Sequence, residues 1–364
     1  MSNVAVVKIG TSSLTDVDGV IVDAALRKLG EDVATARTAG YDIVLVVSGA
    51  IAAGMPALKL EERPTDVALL QAIAAVGQPR LMERIVEILD WHGLVAGQVL
   101  LTSTDFGHRT QYLHARDTLR RLLDLGVVPV VNENDTVADE EIRFGDNDRL
   151  AALVAHLVGA RTLLMLTDTE GMFTADPRLD EGASLIEEIA EVDDALVAAA
   201  GGAGTARGSG GMASKLAAAR IASWSGVRAV IAAARRERVV IDALDGLSVG
   251  TTVAPKARAL SSRKLWIAFA RPSAGRITVD AGAVAALARG GSSLLPAGVR
   301  GVSGRFDALD AVEVADEAGQ VVAKGLVQWS AAALDAAAGK RTGELAPGQP
   351  TEVIHRDDMV VFTD

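Results

Sequence analysis

The chain has 364 residues, a formal net charge of −11, 49% apolar residues, 3% aromatics and no cysteine. This length predicts about two domains, and the scarcity of aromatics leaves Ala, Val, Leu and Ile to fill the cores. Without cysteine there is no disulfide, thiolate metal site or cysteine nucleophile, which fits a reducing cytoplasm. The acidic balance argues against a general nucleic-acid or anionic-membrane binder. No apolar run approaches the roughly 20 residues of a membrane span. The N-terminus enters an apolar stretch containing Lys8 and lacks the layout of a signal peptide.

Short runs rich in Val, Ile and Leu at 4–9, 42–47, 95–101, 127–131, 162–166 and 228–232 predict strands. Most lack period-2 alternation, as buried parallel strands do. Helical patterns fall between them at 24–39, 67–89, 113–125, 150–158 and 212–225. Strands alternating with helices predict an α/β fold: a mostly parallel sheet sandwiched between helices. Near 259–274 the pattern becomes mixed and charged and reads as a linker. Beyond it, apolar segments at 276–279, 312–315, 321–327 and 359–362 with frequent glycine predict a small β-rich domain. The expected division is 1–258, a linker at 259–274, and 275–364.

Ligands of such sheets bind beyond the carboxyl ends of the strands, so the segments after strands are where chemistry is sought. The first is Lys8-Ile9-Gly10-Thr11-Ser12-Ser13. A lysine near the end of an apolar strand either reaches solvent beside a turn or faces a phosphate, with Gly10 allowing close approach. Ser48-Gly49-Ala50 follows the second strand. Ser48 either caps a helix or offers its hydroxyl to a substrate carboxylate. It is not a hydrolase nucleophile elbow, whose Gly-x-Ser-x-Gly spacing is absent.

The densest polar signal runs from Asn132 to Asp148. Asn132-Glu133-Asn134-Asp135 follows an apolar strand, and Gly145-Asp146-Asn147-Asp148 precedes an apolar helix. One of these acids is expected to cap that helix. The remainder suit an amine held by charge and a polar substrate or metal ion held by oxygen donors. Thr167-Asp168 ends the fifth strand, where an acid either supports a ribose or starts a turn. Finally, the glycine-rich stretch 201–211 opens a helix at Met212-Ala213-Ser214-Lys215. A lysine is disfavoured at a helix start unless an anion lies between them. The spacing matches neither the Walker A loop nor the dinucleotide fingerprint. The five histidines show no metal-ligand spacing, and His156 reads as structural.

Six landmarks in register resemble the amino acid kinase family over essentially the whole chain. They are Val7 to Ser12, Ser48 to Gly54, Asn132 to Asp135, Gly145 to Asp148, Gly210-Gly211-Met212 with Lys215, and His355 to Met359. The C-terminal part resembles a PUA domain. Within the family the chain is most similar to the branch that phosphorylates the side-chain carboxylate of glutamate, the first step of proline synthesis. The resemblance implies ATP and Mg2+, with Lys8 and Lys215 on the transferring phosphate and Asp148 orienting both lysines. It implies substrate contacts from Ser48, Gly49, Asn134, Asp135 and Asn147, and ATP contacts from Lys8, Thr167, Asp168, Ser209, Gly210, Gly211, Met212, Ala213, Ser214 and Lys215. The loop 201–208 departs from the family pattern. Also implied are a cytoplasmic homo-oligomer (dimer or tetramer), feedback inhibition by proline, and hand-off of the acyl phosphate to glutamate-5-semialdehyde dehydrogenase.

Two other readings compete. The acceptor could be another one used in the family, such as acetylglutamate, aspartate, carbamate or uridylate; the paired Asn132–Asp135 and Gly145–Asp148 motifs argue against this. Alternatively, the PUA-like part could bind RNA. From Gly275 to Asp364 it carries 8 Lys and Arg against 12 Asp and Glu, with one Trp and two Phe. That composition offers little for phosphate contact or base stacking.

Overall fold

A computed structural model of the chain describes residues 3–16, 20–138, 146–177, 179–201 and 211–362. The chain divides into two compact units, 1–259 and 260–364.

The first unit is built on eight strands: β1 (Val4–Ile9), β2 (Asp42–Val47), β3 (Ala96–Leu101), β4 (Val128–Glu133), β5 (Thr162–Thr167), β6 (Glu188–Ile189), β7 (Arg228–Ala233) and β8 (Gly250–Val253). Their order is β3-β4-β2-β1-β5-β7-β8-β6. All neighbours are parallel except β7 and β8. The two-residue β6 and the short β8 lie outside the expected strands. Neither has an apolar run long enough to stand out in the sequence.

The central strands β1 and β5 are buried along their whole length, so they lack the alternation of a half-solvated sheet. Alternation persists in where the side chains go. Val7, Ile9, Leu45, Val47, Leu164 and Leu166 pack into one core with Leu26, Leu29 and Val33 of the helix Asp23–Thr38. Leu81, Ile85 and Ile88 of the helix Val67–Asp90 join the same core. Lys8, one residue out of phase, projects to the opposite face. There the helices Asp146–Val158 and Met212–Trp224 pack against each other and the sheet.

Registry sets the height of the carboxyl edge. Ile9 pairs with Val47 and with Leu166, Val46 pairs with Val131, and Thr167 pairs with Ala233. Gly10, Ser48, Glu133 and Thr167 therefore emerge at one level. β4 extends two residues beyond the apolar run that marks it, so Asn132 and Glu133 belong to the strand.

The second unit holds β9 (Gly275–Val279), β10 (Val299–Gly304), β11 (Ala311–Ala315), β12 (Val321–Val327) and β13 (Ile354–Val361), in the order β10-β9-β11-β12-β13. Ile277, Val279, Val312, Val314 and Trp329 lie in its core. The edge strand β10, Val-Arg-Gly-Val-Ser-Gly, is largely exposed and gives no apolar signal. The segment read as a linker, 259–274, carries the helix Ser262–Leu265 and the π-helix Trp266–Ala270. It is structured because Ile267 is fully buried against Ala311 and Leu326. The buried Lys324 ammonium also donates to the carbonyls of Ala268 and Arg271. No helix among the described residues is long and apolar enough to cross a membrane.

Candidate active site

Asp148 is completely buried, and two lysines from distant parts of the chain converge on it. Lys8 Nζ lies 2.6 Å from Oδ1 and Lys215 Nζ 3.3 Å from Oδ2. Lys8 and Lys215 are 5% and 6% exposed, so water screens the trio poorly. Ser214 Oγ donates to Asp148 Oδ2 at 2.7 Å. Burial opposes ionisation of Asp148, but Lys8 and Lys215 by charge, and Lys8 and Ser214 by hydrogen bonding, hold it below the ordinary carboxylate value. Burial, reinforced by Lys215, pulls Lys8 below the ordinary lysine value, against the attraction of Asp148. Two lysines share one carboxylate, so with both protonated the trio carries a formal excess of one positive charge. Such an excess in a poorly solvated place favours an anion.

Local sequence explains each placement. Lys8 comes from the alternation of β1. Asp148 sits in the first turn of the helix Asp146–Val158, where a negative charge complements the helix dipole. Asp146, Asn147 and Asp148 thus lie inside the helix rather than before it. Lys215 sits in the first turn of Met212–Trp224, whose N-cap, Gly211, provides no side-chain cap. Its leading N–H groups and Lys215 therefore point the same electrostatic way. Gly10 matters here for space: a Cβ on it would come 3.3 Å from Lys8 Nζ.

Beside the trio, the ends of β2 and β4 form a polar wall. Thr11 Oγ1 donates to Ser48 Oγ at 3.1 Å, and Ser48 Oγ donates to the Ile9 carbonyl at 3.4 Å. Ser48 is not a helix cap. That position falls to Gly49, whose φ of 115° only glycine adopts at low cost. Asn147 Nδ2 donates to Asn132 Oδ1 at 3.3 Å, joining the start of the Asp148 helix to β4. Asn134 and Asp135 form the turn after β4, where Thr136 Oγ1 donates to Asn134 Oδ1 at 2.5 Å. With Gln78, Pro79 and Glu133 they line a cavity of about 260 Å³.

The sequence also has relatives among known proteins. The sequence matches the amino acid kinase family over residues 3–233 and the PUA domain over residues 275–346. The glutamate 5-kinase of Gloeobacter violaceus is 47% identical, covering 98% of this chain and 99% of that one. The glutamate 5-kinase of Caldanaerobacter subterraneus is 45% identical, covering 98% and 97%. That of Enterobacter sp. strain 638 is 44% identical, covering 99% of both.

The chain belongs to the amino acid kinase family.

The structure brings together the family landmarks around Lys8, Ser48, Asn147, Asp148 and Lys215. Thr167 is buried and Asp168 exposed at the end of β5, with Thr167 Oγ1 donating to Asp168 Oδ1 at 3.1 Å. With Ser12, Ser13, Lys28 and Arg235 they line a larger cavity of about 400 Å³. Ile9 and Leu29 also line it, which puts it on the Asp23–Thr38 side of the sheet. Lys8 meets Asp148 on the other side, and neither lysine of the trio is among the residues described as lining the cavity. The cavity and the charge cluster thus lie on opposite sides of the sheet. Ser209 and Gly210, read as nucleotide contacts, lie outside the described residues, as do Gly145 and Arg207. Gly211, Met212 and Ala213 lead into Lys215 on its helix. His156 is half-buried, and burial lowers its pKa, consistent with a structural place in its helix.

Residue-by-residue reading missed Gln78, which lies mid-helix next to Pro79 and accepts from Asn132 Nδ2 at 2.6 Å. A polar residue on a long helix has no local signal that marks it as part of a site. The proline that follows is a clue: it cannot donate to the carbonyl of Ala75 and so opens the helix at this level. Ser214, read as a nucleotide contact, donates its hydroxyl to the central aspartate.

Proposed function

We propose that this chain transfers the γ-phosphoryl group of ATP to the side-chain carboxylate of L-glutamate, giving glutamyl 5-phosphate and ADP. The observation that carries this reading is the buried Lys8–Asp148–Lys215 trio, set at the strand ends of a family member whose full-length relatives are glutamate 5-kinases.

The acceptor carboxylate has an unperturbed pKa near about 4.3 and is already ionised at neutral pH. No general base is needed. The obstacle is repulsion between two anions, which positioning and positive charge must offset. An acceptor oxygen attacks the γ-phosphorus in line. The bond to the β–γ bridging oxygen breaks, and ADP carries away that electron pair. Lys8 and Lys215 stabilise charge on the transferring phosphoryl group. Asp148 holds both ammonium groups at a fixed separation and remains unprotonated, because the lysines keep its pKa low. The uncapped amides at Gly211–Ala213 suit the nucleotide phosphates. Mg2+ carried with the nucleotide would supply further positive charge beside Lys8 and Lys215. Thr167 and Asp168 are assigned to the nucleotide as well. Ser48, Gly49, Asn134, Asp135 and Asn147 are assigned to the amino acid.

The acyl phosphate product hydrolyses readily, so a reductase of the aldehyde dehydrogenase type is its natural consumer. Proline resembles the acceptor closely enough to compete at the Asn134–Asn147 wall. ATP as donor places the reaction in the cytoplasm, and a homo-oligomer is the expected assembly.

The test is ADP release by the purified protein with Mg2+. Release should depend on added L-glutamate and not on N-acetylglutamate, aspartate, carbamate or UMP. Equal release with any of those acceptors would transfer the assignment to another branch of the family.

A further inference from the structure

We propose that Gln78 is a positioning residue for the acceptor: through Asn132 it holds the Asn147 carboxamide with its oxygen presented to the acceptor's ammonium group. The inference rests on the reading of the acceptor as a free amino acid.

The argument starts from a group whose role is fixed. The backbone N–H of Glu133 can only donate, and it meets the Asn132 side chain at 2.9 Å. The Asn132 atom there is therefore its oxygen, Oδ1. Asn132 Nδ2 then faces Gln78 at 2.6 Å, so Gln78 offers Oε1. Asn147 meets the same Asn132 Oδ1 at 3.3 Å, and only its Nδ2 can donate to it. Asn147 Oδ1 is thereby turned away from the chain of amides. It is buried and accepts from no described residue.

A buried acceptor without a donor is unfavourable, and a ligand N–H relieves it. The choice of an ammonium over a neutral amide follows from charge. Glu133 ends β4 and Asp135 stands in the turn after it; Arg63 beside Asp135 offsets part of that charge, and the remaining negative charge favours a cation. An N-acylated acceptor brings one neutral N–H and extra bulk to the same place. The relay therefore favours a free α-ammonium over an acylated nitrogen. Without Gln78, Asn132 could rotate about its side-chain bonds, and Asn147 would lose its fixed orientation.

Steady-state kinetics on the full-length protein test this. Gln78→Met keeps length and removes the acceptor; Gln78→Glu keeps an acceptor oxygen. Gln78→Met should raise KM for glutamate about ten-fold, the scale of a lost hydrogen bond to a charged group, with KM for MgATP within about two-fold. Gln78→Glu should bring KM for glutamate back to within about three-fold of wild type. In an Asn147→Ala background, Gln78→Met should add little, because the relay already lacks its end. An unchanged KM for glutamate in Gln78→Met, equal rises for both substrates, or full additivity with Asn147→Ala would each overturn the relay. Wild-type protein without glutamate-dependent ADP release would instead overturn the acceptor assignment, so the two failures are distinguishable.

Discussion

Asp148 is the residue on which the site depends, because a single buried carboxylate fixes two ammonium groups. Lys8→Ala or Lys215→Ala should lower kcat by about 10²–10³, the usual cost of one preorganised charge-stabilising donor. Circular dichroism should remain near wild type, since Asp148 keeps one cationic partner. Near-normal turnover in either variant would remove that lysine from the mechanism. Asp148→Asn differs: it leaves two buried ammonium groups facing each other. A stability loss of about 3 kcal/mol is expected in urea titrations, besides the loss of rate. The pH behaviour follows from the directions of the shifts. Asp148 has a folded pKa below its unfolded value, so its stabilisation is present above the unfolded value of about 4. It is lost as pH falls through the folded value. Lys8 has a folded pKa below 10.5, so kcat/KM should fall on an alkaline limb that begins below the ordinary lysine range. A limb no earlier than that of free lysine would contradict the burial argument.

One helix, Val67–Asp90, organises the side proposed for the acceptor. Gln71 and Gln78 lie two turns apart on one face. Gln71 Nε2 donates to the Ala138 carbonyl at 3.0 Å, and Gln78 holds Asn132. Gly77, between them, lets the helix Ala50–Gly54 approach: a Cβ there would stand 1.8 Å from the Ala50 carbonyl oxygen and 2.5 Å from the Gly54 nitrogen. Gly54 answers it, with a Cβ position 2.2 Å from the Ile73 oxygen. Backbone atoms cannot yield as a flexible side chain can. Gly77→Ala should destabilise the protein by about 2 kcal/mol or more, a fall in Tm of about 5 °C. It should also raise KM for the acceptor, because the Ala50–Gly54 helix begins at the Ser48–Gly49 turn. A variant with unchanged Tm would show that the two helices slide apart freely. The same crossing explains why a short apolar stretch, Ala50–Gly54, forms a helix at all. Its packing against Ile73, Ala74 and Leu70 supplies what five residues alone lack.

Each unit has its own core, one of β1, β2, β4, β5 and β7 with their covering helices, the other of β9, β11, β12 and β13. Scanning calorimetry should accordingly resolve or broaden into two transitions. MgATP at about 100 times its dissociation constant should stabilise only the transition of residues 1–259, by about 2.7 kcal/mol. An equal shift of both transitions would mean that the second unit also binds the nucleotide or unfolds only with the first. The segment 275–364, with 8 Lys and Arg against 12 Asp and Glu, is expected to leave labelled RNA unshifted at physiological ionic strength.

Local signals were enough for β1 to β5, β7 and the longer helices between them, and they made the six landmark motifs stand out. Buried parallel strands read as unbroken apolar runs, and glycine-rich or acidic breaks at their ends stand out against them. β10, β8 and the helix at 262–265 were not legible, since each is held by partners remote in sequence rather than by its own pattern. The same distinction runs through the site. Lys8, Asp148 and Lys215 are conspicuous as charges in apolar or helix-start positions, which is a local property. That Ser214 serves Asp148, that Ser48 leaves the capping to Gly49, and that Gln78 joins Asn132 and Asn147 are facts of packing. The kinds of groups in this protein were set by sequence; their convergence on one carboxylate, and the direction in which each amide points, arose only when strands far apart in the chain came into register.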